Sequence, residues 1–206
     1  MNYSDFCVAL DPGHDSTTPG KCSPDGKFRE YAWNRKFARI LGDKLMKLGF
    51  TVRYTVDPDD RDNYYSLSYR ANRANELIAK RGHGCLISLH VNACGSDGKW
   101  HTARGWSLFT TKKENNSDIL GQYIINYACS ALPSFGIKIR KYMNSYLKMD
   151  FEENFTVLEK SRYPAVLIEH LFQDNQDDVK LLNDDEVLDT MSDIMLWSNR
   201  IRKREI

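Results

Sequence analysis

Residues 165–168 read Ala-Val-Leu-Ile and constrain the fold more than any other stretch, because they are wholly apolar and follow a proline. A strand of this composition must be covered on both faces, which is typical of a central strand in a parallel sheet. Residues 7–10 and 86–91 form two further runs that read as buried strands. Segments with helical periodicity separate the three runs. This alternation predicts an α/β fold with a twisted, mainly parallel β-sheet flanked by α-helices.

Apolar periodicity and breaker residues predict the remaining elements. Strands are expected at residues 50–56 and 105–111, with 156–158 as a further candidate. Helices are expected from about Arg29 to Gly49, over 67–78, from a cap at Ser117 to Pro133, over 177–182 and over 187–201. Residues 135–155 are the least readable part of the chain and are interpreted as substrate-side loops with a short strand.

The length and charge of the chain limit the class of protein to which it can belong. Its 206 residues suffice for one good-sized core, and no repeat or linker divides them, so a single domain over residues 1–206 is expected. The formal net charge of +1 gives no reason to expect nucleic acid or an anionic membrane as a partner. No apolar segment approaches the ~20 residues that span a bilayer. The first residues lack the basic and apolar regions of a signal peptide, so we expect synthesis in the cytoplasm, unless a leader has been removed.

The five cysteines are an odd number and include no CxxC pair. Cys7, Cys85 and Cys129 lie in apolar runs and are interpreted as small buried side chains, not as a disulfide framework. This usage favours folding in a reducing compartment. Cys94 follows His90 by four residues, but beyond a strand end that spacing has no fixed geometry, so Cys94 is a poor candidate for a metal ligand.

Polar side chains follow three of the predicted strands at the point where each strand ends. His14 and Asp15 follow the first strand, His90 and Asn92 lie at the end of another, and Glu169 comes directly after the run at 165–168. The carboxyl ends of parallel strands meet at one edge of a sheet, where ligands bind in open α/β folds. We therefore expect these groups to lie close together, although topology alone also collects polar residues at such an edge.

Glu30 is a further carboxylate in an unusual place. It lies at the start of the first predicted helix, on the same apolar face as Trp33 and Phe37. Burying a carboxylate without a partner is costly. Glu30 is therefore either satisfied by backbone amides at the start of the helix or is a metal ligand directed at the loop of His14.

The candidate residues form a recognisable set. His14, Glu30 and His90 match the two-histidine, one-carboxylate set of a catalytic zinc, which keeps a fourth position for water. Glu169, at the same edge, is placed to take the proton from that water. Further candidates for orienting the histidines are Asp11, Asp15 and Asn92.

Four motifs stand in order along the chain. They are Asp-Pro-Gly-His at residues 11–14, Glu30 at a helix start, Ser-Leu-His-Val-Asn-Ala at 88–93, and Pro-Ala-Val-Leu-Ile-Glu at 164–169 followed by Phe172 and Asn175. This order, over about residues 8–182, resembles the zinc-dependent N-acetylmuramoyl-L-alanine amidases of the amidase-3 family. The resemblance makes the expected domain an amidase-3-like catalytic domain with an α/β fold.

The resemblance also implies a reaction and the residues that carry it. It implies one Zn²⁺ per chain with His14, Glu30 and His90 as ligands, and Glu169 as the catalytic carboxylate. The implied substrate is peptidoglycan, and the implied reaction is hydrolysis of the amide between the lactyl group of N-acetylmuramic acid and the L-alanine of the stem peptide. Candidates for contact with the metal ligands or with substrate are then Asp11, Asp15, Asn92 and Asn175.

The chain departs from the family pattern in two ways. Leu171 stands where the family often has glycine, two positions after the catalytic glutamate, so the local loop is expected to differ. No segment resembles the regulatory helix of some cell-division members or an appended wall-binding module. A catalytic domain of this kind without a leader resembles a phage or prophage endolysin, released through a separate membrane lesion. A bacterial wall-remodelling enzyme whose leader has been removed is the alternative.

Two other functions are compatible with the same residues. A zinc peptidase or deacetylase would use the same metal set on another bond of cell-wall fragments and would release a free amino acid or acetate. A non-catalytic wall-binding module would share the fold, but the presence of all four polar groups argues against it.

Overall fold

The first strand, β1 (Phe6–Pro12), is buried at every position because it lies inside a sheet with helices on both faces. The computed structural model describes residues 3–60, 62–141 and 149–201. The other strands in these ranges are β2 (Thr51–Tyr54), β3 (His83–Asn92), β4 (Ser107–Thr110), β5 (Phe151–Glu152) and β6 (Ala165–Phe172). The six strands form one sheet in the order β2-β1-β3-β6-β4-β5. Strands β2, β1, β3 and β6 are mutually parallel, whereas β4 runs antiparallel to β6 and parallel to β5.

Helices cover both faces of the sheet. They are α1 (Glu30–Lys47), α2 (Leu67–Ala79), α3 (Asn116–Ala131), α4 (Thr156–Glu159), α5 (Gln176–Leu182) and α6 (Asp185–Ile201). Alternate residues of β1 face different layers: Val8 and Leu10 belong to the core beneath α1, α3 and α6, while Cys7 and Ala9 pack with α2 and α4. The predicted single-domain α/β fold with a mainly parallel sheet is therefore confirmed. No helix in the described part of the chain is long and apolar enough to cross a membrane.

The strand proposed at residues 156–158 is wrong, because these residues belong to α4. Val157 and Leu158 are buried there in the smaller core cluster, together with side chains of α2. Three residues are too few for hydrophobic periodicity to separate a strand from a helix, so tertiary packing decides.

The cap proposed for α3 is also wrong, because Asn115 takes that place. The Asn115 side chain accepts a hydrogen bond from the backbone N–H of Ser117 (2.7 Å), and the Asp118 carboxylate accepts one from the N–H of Asn115 (2.7 Å). This reciprocal pair is a capping box. The Ser117 hydroxyl instead accepts a hydrogen bond from the N–H of Ala165 (3.0 Å), so it ties α3 to β6.

The least readable segment, residues 135–155, contains the short strand that was expected there. This strand is β5, which pairs with β4 and stacks Phe151 on Phe109 with ring centroids 5.2 Å apart. Residues 142–148 lie outside the described residues. The assignment of this segment to the substrate side therefore stays a prediction.

The pairing of β3 with β6 shifts register beside the candidate site. His90 pairs with Glu169, but the next pair is Asn92 with Phe172, so two residues of β6 oppose one residue of β3. Leu171 lies in this bulge with a φ of 67°, in the left-handed region, and its side chain is fully buried. A β-carbon makes this conformation unfavourable by roughly 1–2 kcal/mol. The buried leucine therefore occupies a backbone position that favours glycine.

Substitutions at Leu171 test this strain. Both Leu171→Ala and Leu171→Gly are expected to destabilise the protein, by about 2–5 kcal/mol for loss of a buried leucine. We expect the glycine variant to be more stable than the alanine variant by up to about 1 kcal/mol, because the left-handed penalty on alanine exceeds the roughly 0.5–1 kcal/mol entropic cost of glycine. The order should reverse for Ile168→Ala and Ile168→Gly in the same strand, where we expect the alanine variant to be the more stable of the two. Urea unfolding of the four variants measures both differences, and an alanine variant at 171 more stable than the glycine variant would contradict the expectation.

Candidate active site

The loop after β1 brings His14 against His90. The two imidazoles pack edge to face with ring centroids 4.8 Å apart. His14 has a φ of 61°, which is uncommon for a residue with a β-carbon. Gly13 lies so close to the His90 ring that an added β-carbon would stand 2.2 Å from Cε1. Glycine at this position therefore lets the loop approach the imidazole.

Glu30 connects the two histidines. As the first residue of α1 it is fully buried, and its Oε1 lies 3.2 Å from Nδ1 of His90 and 3.3 Å from Nε2 of His14. The same oxygen accepts a hydrogen bond from the backbone N–H of Val91 (3.0 Å). The other oxygen, Oε2, is buried with no hydrogen-bond partner among the described residues, and the Lys21 ammonium lies 3.9 Å from it. Part of the hydrogen-bonding capacity of the Glu30 carboxylate is thus satisfied by a backbone amide of β3 and not by an amide of α1.

The electrostatics of these three groups follow from burial and from one another. Burial alone would raise the pKa of Glu30, but hydrogen bonds and charges from His14 and His90 outweigh it and hold this pKa well below its ordinary value. Burial lowers the pKa of His14. Burial also disfavours the charged form of His90, but the Glu30 carboxylate more than compensates, so the pKa of His90 is raised. Glu30 is therefore an anion held between two imidazoles.

Glu169 lies beside this group on the neighbouring strand. It is opposite His90 on one side and opposite Ser107 of β4 on the other. Its Oε2 is buried without a hydrogen-bond partner in the described part of the chain. Burial raises the pKa of Glu169 to about 7, with His90 opposing the rise and Glu30 adding to it. A carboxyl group with a pKa near neutrality can both accept and release a proton under physiological conditions.

The donor set fits a zinc ion. His14, Glu30 and His90 each offer one ligand atom, and these atoms lie within 4.8 Å of one another. Two imidazole nitrogens and a carboxylate oxygen suit Zn²⁺, and the unpartnered Oε2 of Glu30 leaves acceptor capacity that a cation would satisfy. It is the only group of this kind found among the described residues. The fourth predicted residue, Glu169, lies next to the set but outside it.

The other histidines and cysteines lie elsewhere. His83 starts β3 at the opposite edge of the sheet, and His101 is paired with Asp97 at 2.9 Å. His170 points away from Glu169 into an apolar environment that includes Phe37, where burial lowers its pKa to about 3. All five cysteines are free; as predicted Cys7 and Cys85 are buried, whereas Cys129 is partly buried and Cys94 is exposed.

The four further site candidates bind backbone groups and side chains around the two histidines. Asp15 accepts hydrogen bonds from Thr17, and Asn92 accepts one from the N–H of Ala93. Asn175 caps α5 and donates to the carbonyl oxygen of His101. Asp11 accepts hydrogen bonds from Arg70, Thr55 and Ser88. None of these bonds reaches the ring of His14 or His90, and the polar contacts of the two rings in the described structure come from Glu30.

Sequence reasoning missed the side chains that hold the loop of His14. They are Asn34 and Arg35 of α1 and Arg70 of α2, all of which donate hydrogen bonds to carbonyl oxygens of residues 12–14. A signal was available, because Arg70 falls on the same face of α2 as the buried Ala71 and Ala74. A charged side chain on such a face needs a buried partner.

The buried pair of Asp11 and Arg70 makes stability depend on pH. Burial would raise the pKa of Asp11, but the Arg70 guanidinium and hydrogen bonds from Thr55 and Ser88 hold this pKa below its ordinary value. A carboxyl group whose pKa is depressed in the folded state contributes stability that is present above about pH 4 and is lost as the pH falls through the folded-state pKa. Asp11→Asn is therefore expected to lower the free energy of unfolding by about 3–5 kcal/mol at pH 7.

Urea unfolding of the wild type and Asp11→Asn at pH 7, 4 and 3 measures this effect. The difference between the two proteins should narrow at the lowest pH. A difference that stays constant over this range would mean that Asp11 titrates alike in the folded and unfolded chains.

A mainly parallel sheet that brings two imidazoles and two carboxylates together at its carboxyl edge defines a class of protein. It is an α/β enzyme with the groups that metal-assisted hydrolysis requires. The family model described as Amidase_3, N-acetylmuramoyl-L-alanine amidase, matches residues 8–196, and the chain belongs to this family.

Individual relatives agree with this membership. The endolysin of Bacillus phage SPP1 is 28% identical over 192 residues, which are 90% of this chain and 62% of the endolysin, so the chain spans less than two thirds of that relative. The N-acetylmuramoyl-L-alanine amidase of Clostridium difficile 630 is 24% identical with a TM-score of 0.78, and the alignment covers 99% of both chains. The catalytic domain of CwlV, an amidase of Bacillus (Paenibacillus) polymyxa var. colistinus, is 20% identical with a TM-score of 0.76 over 95% of this chain and 97% of its own. These two structures share the fold.

Proposed function

We propose that this chain hydrolyses the amide between the lactyl group of N-acetylmuramic acid and the L-alanine of the stem peptide in peptidoglycan. The observation that carries the proposal is the convergence of ligand atoms from His14, Glu30 and His90 within 4.8 Å of one another, beside Glu169. Membership in the N-acetylmuramoyl-L-alanine amidase family supports the choice of bond.

His14, Glu30 and His90 would hold one Zn²⁺ per chain. Bound there, zinc supplies Lewis-acid activation of a water molecule and of the scissile carbonyl. Glu30 contributes the negative charge of the ligand set, and its depressed pKa keeps it ionised. Its hydrogen bond from Val91 fixes the carboxylate to β3, the strand that also carries His90.

Glu169 would move the proton. It takes a proton from the attacking water as the new carbon–oxygen bond forms, and it delivers a proton to the alanine nitrogen as the carbon–nitrogen bond breaks. The products are the lactyl carboxylate on the glycan and a stem peptide with a free L-alanine amine. A pKa of about 7 suits both halves of this exchange, because neither protonation state is strongly favoured at neutral pH.

The similarity to the SPP1 endolysin supports a lytic role on the cell wall. In that role the protein would be made in the cytoplasm and would reach the wall through a separate membrane lesion. CwlV and the Clostridium difficile amidase have the same fold. Secretion followed by wall remodelling is the alternative route to the same substrate.

Mass spectrometry of digested sacculi tests the bond assignment. We expect peptide-free glycan strands and stem peptides with a new amino terminus at L-alanine. Release of free amino acids or acetate would indicate a peptidase or a deacetylase. Sedimentation with sacculi without loss of turbidity would indicate a wall-binding protein.

Metal analysis of the purified protein tests the cofactor. About one zinc per chain is expected at full loading. Chelation should abolish the loss of turbidity, and added zinc should restore it. Full activity of a verified metal-free preparation would contradict the zinc assignment.

A further inference from the structure

Three consecutive backbone carbonyl groups, those of residues 12–14, accept hydrogen bonds from helix side chains. The donor of each bond lies on α1 or α2, the helices that cover opposite faces of the sheet beside β1. The bonds are Arg70 to Pro12 (2.8 Å), Asn34 to Gly13 (3.2 Å), Arg35 to His14 (2.8 Å) and Arg70 to His14 (3.2 Å). The loop that carries His14 is therefore held at every residue between the end of β1 and the imidazole.

The donors are buried to a degree that needs an explanation. Arg35 and Arg70 are each 2% exposed, and Asn34 is fully buried. A buried guanidinium is unfavourable unless hydrogen bonds and charges compensate for lost hydration. Arg70 is compensated by Asp11 (2.9 Å) and by the loop. Arg35 also donates to the carbonyl of Asp60 (3.0 Å), but no ion pair with a carboxylate is present among the described residues, so backbone carbonyls are its principal partners.

The conformation of His14 explains what these bonds accomplish. With a φ of 61°, His14 adopts a backbone conformation that a residue with a β-carbon leaves readily unless its surroundings hold it. In this conformation Nε2 lies 3.3 Å from Oε1 of Glu30 and the ring packs on His90. A relaxed backbone at His14 would turn the imidazole away from both.

We propose that Asn34, Arg35 and Arg70 are positioning residues for the candidate metal centre, because they hold residues 12–14 in the conformation that directs His14 at Glu30 and His90. This extends the proposed function and rests on it, since it takes His14 to be a metal ligand. The three side chains act through the backbone of the loop, and in the described part of the chain none of them hydrogen-bonds to the rings of His14 and His90 or to the Glu30 carboxylate. Their removal should weaken metal binding while all three ligands remain in the chain.

A matched pair of asparagines separates positioning from a purely structural role. Asn75 on α2 is also buried, and its side chain binds the carbonyl of Lys160 (2.9 Å) and the N–H of Arg162 (2.8 Å), in the segment that leads into the start of β6. Asn34→Ala and Asn75→Ala each delete the hydrogen bonds of one buried amide within a helix. Zinc affinity, measured by competition with a chromophoric chelator, is expected to fall about 10–100-fold in Asn34→Ala, as is typical when a group that orients a ligand is removed. It should change less than about twofold in Asn75→Ala, even if that variant unfolds at lower urea.

Arg35 provides a second, independent pair of variants. Arg35→Gln shortens the side chain and removes the donor to His14, so zinc affinity should again fall about 10–100-fold. Arg35→Lys keeps one flexible cationic donor and should recover part of the loss, because a single ammonium cannot reproduce all the bonds of the planar guanidinium to His14, Asp60 and Tyr31. If Asn34→Ala does not fold, the zinc affinities of Arg35→Gln and Arg35→Lys decide whether these side chains position the loop of His14. Arg70 is left intact because its removal would leave Asp11 buried without a cation.

The variant His14→Ala separates the proposed positioning role from the proposed function on which that role rests. Wild-type zinc affinity in His14→Ala would show that His14 is not a ligand, and the proposed function would lose its metal set. Weak binding by His14→Ala together with wild-type affinity in Asn34→Ala and Arg35→Gln would overturn the positioning role and leave the proposed function standing. Weakened binding in all three variants, with Asn75→Ala unaffected, is the result we expect.

Discussion

Replacing Glu169 by alanine is expected to leave zinc bound while lowering the rate of amide hydrolysis by about 10²–10⁴-fold, the contribution typical of a general acid–base group. Glu169 lies on β6 next to the donor set but is not one of its three members. Its removal therefore deletes a proton carrier and leaves the two histidines and Glu30 in place. Turbidity loss of sacculi and zinc content, measured on the same preparation, check the two halves of this expectation.

Cys94→Ser is the control for this experiment. Cys94 lies at the same edge of the sheet, is exposed, and is outside the donor set, so its replacement should change neither zinc content nor rate. Circular dichroism should show that both variants are folded. A fully active Glu169→Ala would remove Glu169 from the mechanism.

Replacing Glu30 by alanine should remove both zinc and activity. The Glu30 carboxylate contacts His14, His90 and the N–H of Val91, so its loss takes away a ligand and the group that fixes the two imidazoles. Zinc affinity should fall by more than the 10–100-fold typical of residues that only orient a ligand. Chelator competition measures the affinity, and added zinc should recover little of the rate. A metal-free Glu169→Ala beside a fully loaded Glu30→Ala would mean that the two glutamates exchange roles.

The strands and helices that build the site could be predicted because their sequences leave few choices. An apolar run such as residues 165–168 is stable only when both faces are covered, and that condition places Glu169 in a central parallel strand, towards the carboxyl edge of the sheet. The strand end expected directly before Glu169 is wrong, because β6 continues to Phe172. The same rule predicts that His14 and His90 lie near this edge of the sheet. The strand proposed at 156–158 fails because it is too short for periodicity to act, and packing against α2 selects a helix.

The support behind the site could not be predicted in the same way. Asp11 is one of three candidates for orienting the histidines, whereas its buried hydrogen bonds go to Arg70 of α2, to Ser88 of β3 and to Thr55, which follows β2. Asn34 and Arg35 bind backbone carbonyls of a loop distant in sequence. Such bonds depend on how α1 packs over β1. Because every residue has a backbone carbonyl, the amino-acid sequence does not show which of them will accept a hydrogen bond.

The reversed direction of β4 determines which part of the chain borders the site. Because β4 runs antiparallel to β6, the connection over residues 93–106 leaves β3 and enters β4 at the same edge of the sheet, near Glu169. Asp174 anchors its first part by accepting hydrogen bonds from the N–H groups of Cys94 and Gly95, and Asp178 anchors its last part at Gly105. Between these anchors residues 96–99 are exposed. Insertions there would reshape the surface beside Glu169 without disturbing a strand pairing, so selection for new substrates could act on this connection alone.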